Sequence, residues 1–274
     1  MIKAADLHIH TNLSDGTLSA KELIKEAKKA GLSAIAFTDH DIVDGIDESI
    51  TIGRQEGVEV LSGIELSAEH HRREVHILGY LIDHNNQGLL DRLKILRSNR
   101  IERVNRMVAK LNEMGLKLDA QEVFAIANRG TVGRMHIALA MVRKGLVANT
   151  QDAFRRYIGD NSPAYVLAFR LSPEEAINLI RSCGGVPVLA HPYLVDSDGF
   201  IPQLVDSGLM GLEVYYPEHS PTMVNFYLDM AKDMGLLVTG GSDFHGSAKP
   251  EVKLGCIKLP YELVEQLKSK CQKT

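Results

Sequence analysis

The chain has 274 residues, enough for one large α/β domain or one domain carrying an insertion. Its 45% hydrophobic and 24% charged content is that of a globular protein, and no run of about 18 apolar residues is present to span a bilayer. A net charge of −4 excludes a bulk basic surface for long duplex nucleic acid or anionic membrane, so an anionic ligand would need a local positive site. The three cysteines, Cys183, Cys256 and Cys271, match no zinc-knuckle spacing, and a reduced, cytoplasmic setting is expected. The first strand-like run begins at once, which leaves no room for a signal peptide.

That run is Asp6-Leu7-His8-Ile9-His10. Side chains alternate faces along a strand, so His8 and His10 share one face while Leu7 and Ile9 share the other. Two imidazoles so spaced can grip one metal ion. Asp15 follows in a Ser-Asp-Gly turn that returns a carboxylate to the same end. Ser19 and Glu22 form a capping-box pattern that opens a helix, and Gly31 closes it. Residues 34–37 read as a short buried strand running into Thr38-Asp39-His40-Asp41. Polar residues just after a buried strand are where α/β folds build sites. A helical segment within 42–56 leads to a strand over 58–67, where Glu65 stands between Ile64 and Leu66. A carboxylate in that apolar setting needs a partner, and a cation supplies one. Residues 75–80 form a further strand, with His76 facing away from Val75 and Ile77.

From Gly88 the pattern becomes helical. Leu89, Leu93, Leu96, Val104, Val108 and Leu111 define a long helix, with two or three shorter ones before about residue 159. Residues 85–165 are read as a helical insertion between two parts of one barrel, 1–84 and 166–274. Within it Gly130-Thr-Val-Gly-Arg134-Met-His136 feeds a helix N-terminus, a seat for an anion beside Arg134. Arg97, Arg100, Arg103 and Arg106 drift round the long helix by about 60° per step and are expected on a solvated face. Alternation of strand and helix resumes at Ser172-Pro-Glu-Glu175, a capping box with proline at N1. Strands follow over 186–190, ending in His191-Pro192, over 211–215, and over 236–239, ending in Gly240-Gly-Ser-Asp243-Phe-His245. A helix over 221–235 precedes the last.

Nine residues able to ligate metal thus recur at strand ends or just after them: His8, His10, Asp15, His40, Glu65, His76, His191, Asp243 and His245. A barrel-like arrangement would gather them on one face, where they could hold up to three divalent ions. Manganese is the first expectation, with zinc or iron as alternatives for mixed imidazole and carboxylate ligands.

These motifs together resemble the PHP (polymerase and histidinol phosphatase) family of metal-dependent phosphoesterases. The resemblance rests on Asp6-Leu-His8-Ile-His10 with Asp15, Thr38-Asp39-His40, Gly63-Ile-Glu65, His76, Ala190-His191-Pro192 and Ser242-Asp243-Phe-His245. It implies a distorted seven-stranded β/α barrel and a site for two to three ions. By analogy His8, His10, Glu65 and Asp243 would hold one ion. Glu65, His76 and His191 would hold a second, and Asp15, His40 and His245 a third. Gly133-Arg134-Met-His136, Ala153-Phe154 with Tyr157-Ile-Gly159, and Glu213-Val-Tyr-Tyr-Pro-Glu-His219 resemble the branch with nucleoside 3′,5′-bisphosphate phosphatases and 5′→3′ exoribonucleases. Met135 departs from it, since members often carry proline there.

The implied activity is hydrolysis of small nucleotide phosphoesters, or of short RNA 5′ ends, by hydroxide formed at the metals. Glu65 and Asp243 would be central to catalysis. His219 would contact phosphate or protonate the leaving group, unless it is a surface histidine. Arg134 would clamp a phosphate, and His136 would help unless it only packs its helix. Asp39 and Asp41 would orient His40 or serve as loop acids. Tyr193, Tyr215 and Tyr216 are expected to pack the core or rim, the alternative being to stack on a base. Histidinol-phosphate phosphatase is the nearest rival. An amidohydrolase-type C–N hydrolase shares His-x-His on its first strand, but Thr38-Asp39-His40 and the Ser242–His245 run weigh against it. A non-catalytic scaffold would have lost ligands, and none of the nine is missing.

Overall fold

The computed structural model describes residues 3–71, 73–127, 130–167, 171–195 and 198–271. The chain opens with strand β1 (Ala4–Ile9), whose Leu7 and Ile9 are fully buried. Helix α1 (Ala20–Lys29) begins at the Ser19/Glu22 capping box and buries Leu23, Ile24 and Ala27. Strand β2 (Ala34–Phe37), helix α2 (Ile46–Glu56) and strand β3 (Glu59–Leu61) follow. Then come strands β4 (Gly63–His70) and β5 (Arg73–Tyr80).

Helices α3 (Gln87–Glu113), α4 (Ala120–Ala127), α5 (Arg134–Arg143) and α6 (Thr150–Ala153) follow, the last continuing into a π turn over Phe154–Ile158. The second half comprises α7 (Pro173–Ser182), β6 (Val186–Leu189), α8 (Ile201–Asp206) and β7 (Gly211–Tyr215). It ends with α9 (Pro221–Asp233), β8 (Leu237–Gly240), β9 (Leu259–Pro260) and α10 (Tyr261–Cys271).

The strands form two mixed sheets, ordered β3-β2-β1-β9 and β4-β5-β6-β7-β8. The closed seven-stranded barrel expected from the family resemblance is therefore not found among the described residues. Among the described residues the two sheets share a hydrophobic core, and their strand ladders are linked by isolated bridges, Ile9 with Phe244 and His40 with Glu65. The cause is local. The run 58–67, expected as one strand, breaks at Ser62. The Ser62 hydroxyl donates to the Ile82 carbonyl, and the Ser62 carbonyl accepts from Leu81 N–H. Gly63 then passes so close to β2 that a Cβ there would lie 2.7 Å from the Phe37 oxygen. The chain thereby leaves the first sheet and starts the second, as an antiparallel hairpin of β4 and β5.

At the other seam, the segment after β8 crosses β1 at backbone distance. Asp243 N–H donates to the His8 carbonyl at 2.8 Å, and His10 N–H donates to the Phe244 carbonyl at 3.0 Å. A Cβ on Gly241 would sit 2.3 Å from the His8 nitrogen. Gly241→Ala is expected to destabilise the protein by about 1–3 kcal/mol or more, because backbone rather than a flexible side chain must yield. Urea unfolding checks this, and an unchanged midpoint would contradict the close approach.

Helix α3 spans two cores. Leu89, Leu93 and Leu96 pack with the β4–β7 layer. Val104, Met107, Val108 and Leu111 pack with α4 and α5 in a separate cluster. The handover between the two cores falls inside the helix, between Leu96 and Val104. The arginine face differs from expectation as well. Leu93, Leu96, Arg100, Arg103 and Met107 form one inward stripe at three- and four-residue spacing. Arg103 is 7% exposed and donates to the Val166 carbonyl. Arg100 binds Asp41 and the Ser67 hydroxyl, while Arg106 is exposed. The solvated-face reading holds for Arg106 and fails for Arg100 and Arg103, because α3 lies over a polar cavity instead of open solvent.

Candidate metal centre

The two seams between the sheets place chemistry at one point. His8 and His10 point inward from β1, and Glu65 enters from β4 beside the single bridge to His40. His76 stands on β5, His191 follows β6, and Asp243 and His245 follow β8. Glu65 is the hub. Its Oε2 lies 3.4 Å from His8 Nε2, 3.2 Å from His10 Nε2 and 3.1 Å from His40 Nδ1. Its Oε1 lies 2.7 Å from His76 Nδ1 and 3.2 Å from His191 Nε2. Asp243 Oδ1 lies 3.4 Å from His8 Nε2, 3.1 Å from His10 Nε2 and 3.5 Å from His245 Nδ1. Asp15 reaches His245 at 3.2 Å, His10 at 3.6 Å and His40 at 3.8 Å. All nine residues singled out by the sequence meet in this cluster.

Holding so many imidazoles together strains the backbone. Asp41, His191 and Asp243 adopt positive φ angles of 52°, 26° and 52°. Such conformations cost on the order of 1–3 kcal/mol each in non-glycine residues and persist where the surroundings over-determine them.

The carboxylates draw positive charge inward. Burial opposes ionisation of Glu65, yet His40 and His76 hold it well below the usual carboxylate range. Asp243 is held low in the same way, against burial, by Lys249 and His245. Burial likewise opposes charge on His10, but Asp243 and Glu65 raise it to about 9.

Divalent metals fit these residues. Asp15 Oδ1, His40 Nδ1, Glu65 Oε2 and His76 Nδ1 are buried without a hydrogen-bond partner. Leaving such atoms bare is costly, and a shared cation satisfies several at once. Three sets have donor atoms within 4.8 Å of one another: His10, Asp15, His40 and His245; His8, His10 and Asp243; and His40, Glu65 and His76. His40 is thus nearer Glu65 than Asp15, and His10 shares two sets, a division different from the one the resemblance implies.

The remaining candidates separate. Arg134, at the start of α5, lines the cavity above the cluster. Its Nη1 donates to Asp160 at 2.7 Å and its Nη2 to Glu74 at 2.5 Å. His136 is buried, not among the cavity-lining residues, and its Nδ1 accepts from Gly133 N–H. His219 lies behind Tyr193 and Tyr216, at ring distances of 5.3 and 5.5 Å, and also does not line the cavity. Its Nδ1–H donates to the Val214 carbonyl at 2.8 Å, so Nε2 is an acceptor, and burial lowers its proton affinity. Asp39 does not orient His40. It accepts from Thr11 N–H, the Thr11 hydroxyl and the Ser14 hydroxyl, fixing the loop that carries Asp15. Asp41 accepts from Ser67 N–H and Arg100.

Four supporting residues were not assigned to the site from sequence. Glu213, fully buried on β7, accepts from His8 Nδ1 at 2.9 Å and from His191 N–H at 2.8 Å. It leaves His8 Nε2 free to face the cluster. Its signal was the one read at Glu65, a carboxylate between Leu212 and Val214 in an apolar strand. Lys249 and Tyr216 both donate to Asp243 Oδ2, at 2.7 and 2.9 Å, and so aim its other oxygen inward. Tyr216 was expected to pack or to stack on a base, not to hold a ligand carboxylate. Arg100 joins the cavity wall from α3. Among the described residues no helix is long and apolar enough to cross a membrane.

Comparison with known proteins agrees with this geometry. The PHP domain family matches residues 6–164. A 5′-3′ exoribonuclease of Haemophilus influenzae is 32% identical over 250 residues, covering 89% of this chain and 91% of the relative. A 3′,5′-nucleoside bisphosphate phosphatase of Chromobacterium violaceum is 33% identical over 247 residues, covering 88% and 86%. A solved structure, described as a candidate metal-dependent phosphoesterase from Bifidobacterium adolescentis, superposes with a TM-score of 0.92 at 32% identity, covering 98% of this chain and 96% of that one. With the cluster and the matched length taken together, this chain belongs to the PHP domain family and is a metal-dependent phosphoesterase.

Proposed function

We propose that the protein releases phosphate from small nucleotides, with 3′,5′-bisphosphates and short RNA 5′ ends as its substrate class and manganese as its first metal. One observation carries this reading. A cavity of about 320 Å³ has metal-competent side chains at its base and Arg100, Arg103, Arg134 and Lys249 around it. That is the size of a small-molecule pocket, and a duplex would not enter it. The two relatives named above point to the same class.

When bound, divalent ions at these residues supply Lewis acidity and a water that ionises near neutral pH. The chain's own residues do the rest. Glu65, His8, His10 and Asp243 hold the ligand set in place, with Lys249, Tyr216 and Glu213 fixing their orientation. Arg134, held by Asp160 and Glu74, turns its remaining N–H donors to a second phosphate, brought there by the helical insertion, residues 85–165, acting as a lid. Phe154, Tyr193 and Leu194 give the cavity an apolar side suited to a base or sugar. His219 and His136 support Tyr216 and the Gly133 turn from behind.

The test is phosphate release by manganese-loaded protein from a 3′,5′-bisphosphate, a 5′-phosphorylated short RNA and histidinol phosphate. The nucleotides are expected to lead. Preference for histidinol phosphate would overturn the substrate class. At saturating manganese, Arg134→Ala is expected to raise KM for the bisphosphate by about 10- to 100-fold, the value of a charge-assisted hydrogen bond, with kcat little changed. An unchanged kcat/KM would remove Arg134 from the site.

A further inference from the structure

We propose that Glu74 couples the helical insertion to the metal centre, holding Arg134 with one carboxylate oxygen and orienting His76 with the other. Glu74 and His76 are two residues apart on β5, so both project to the same side, as His8 and His10 do on β1. Glu74 Oε2 accepts from Arg134 Nη2, and Oε1 lies 3.2 Å from His76 Nε2. The other nitrogen of His76 lies 2.7 Å from Glu65 Oε1. A chain of contacts therefore runs from Arg134 of the insertion to the hub carboxylate through two side chains, Glu74 and His76.

Each end of this chain is fixed. On the insertion side, Arg134 is also bound to Asp160, and its guanidinium carbon lies 5.6 Å from the Phe154 ring and 5.7 Å from the Tyr165 ring. On the sheet side, an imidazole that ligates through Nδ1 must carry its proton on Nε2. His76 Nε2 is buried without a hydrogen-bond partner, and Glu74 Oε1, 3.2 Å away, is the carboxylate oxygen placed to take that proton once a metal turns the ring, which would set both tautomer and ring angle. Arg134 and His76 compete for the position of one carboxylate. A change at either is felt at the other, although Arg134 itself touches no metal-competent residue in the cluster.

This inference rests on the nine side chains being metal ligands, and the experiment separates the two. Manganese chloride is titrated calorimetrically into chelator-stripped wild-type protein, Glu74→Gln, Arg134→Ala and the double variant, each checked for folding by its melting curve. Glu74→Gln is expected to weaken manganese binding by about tenfold or more. Arg134→Ala is expected to shift the manganese Kd by about threefold or more when Glu74 is present, and to leave it unchanged in the Glu74→Gln background. A direct charge effect of Arg134 on the ions would appear equally in both backgrounds, and that result overturns the coupling. Wild-type affinity in Glu74→Gln overturns it too, while leaving the metal reading intact. A wild-type protein that takes up no manganese removes both. Should Glu74→Gln unfold, Glu74→Asp replaces it, because the shorter carboxylate reaches one partner and not both.

Discussion

Glu65→Gln is expected to lower kcat/KM by about 10³-fold or more, which corresponds to roughly 4 kcal/mol of transition-state stabilisation. Among the described residues no other carboxylate touches so many of the candidate ligands. Its two oxygens lie within 3.4 Å of His8, His10, His40, His76 and His191. Glutamine keeps the shape but loses the charge, and it turns N–H donors toward imidazole nitrogens that need their lone pairs for metal. Bound metal is therefore expected to fall together with activity. Elemental analysis of the purified variant, alongside steady-state kinetics, checks both. Full metal content with near wild-type turnover would show that Glu65 is a packing residue and that the hub lies elsewhere.

Removal of divalent ions with a chelator is expected to abolish activity and to lower the melting temperature, with manganese restoring both. The size follows from linkage. An ion present at 100 times its Kd stabilises the folded state by about 2.7 kcal/mol, provided it ignores the unfolded chain. For a chain of this length one such ion raises the melting temperature by roughly 5–10 °C. The effect should also depend on pH. In the stripped protein, burial opposes charge on His10 and His76, but neighbouring carboxylates outweigh it and raise them to about 9 and about 10. A raised imidazole contributes stability that is complete below its unfolded value near 6.5. That contribution is lost as pH climbs through the folded value. The stripped protein should thus weaken between about pH 6.5 and 10, and the gain from manganese should grow over the same interval. Melting curves with and without manganese across that range test this. A chelator-treated protein whose melting is unaltered at every pH would mean that the cluster holds no ion.

Local rules made much of the site readable before any coordinates. Alternation along β1 put His8 and His10 on one face, and an apolar frame around Glu65 announced a buried carboxylate that wanted a cation. The same frame around Glu213 was as visible but was read only as part of a family motif. Capping boxes at Ser19 and Ser172 located two helix starts, since each depends on residues three apart. The histidines after β2, β6 and β8 stood out because polar residues at strand ends have few structural reasons to be there.

Composition, periodicity and strand-end motifs, taken alone, determined the α/β character, the helical stretch after β5 and the identity of the nine metal-competent residues. Each is written in residues near one another along the chain. Only the tertiary structure decided that the strands divide into two sheets at Ser62. It also turned Arg100 and Arg103 inward, placed His219 behind Tyr216 as an acceptor, and joined Arg134 to His76 through Glu74. Those outcomes depend on which distant surfaces come into contact. A helix or strand signals which of its faces is polar, but not whether water, a cavity or another carboxylate will meet that face.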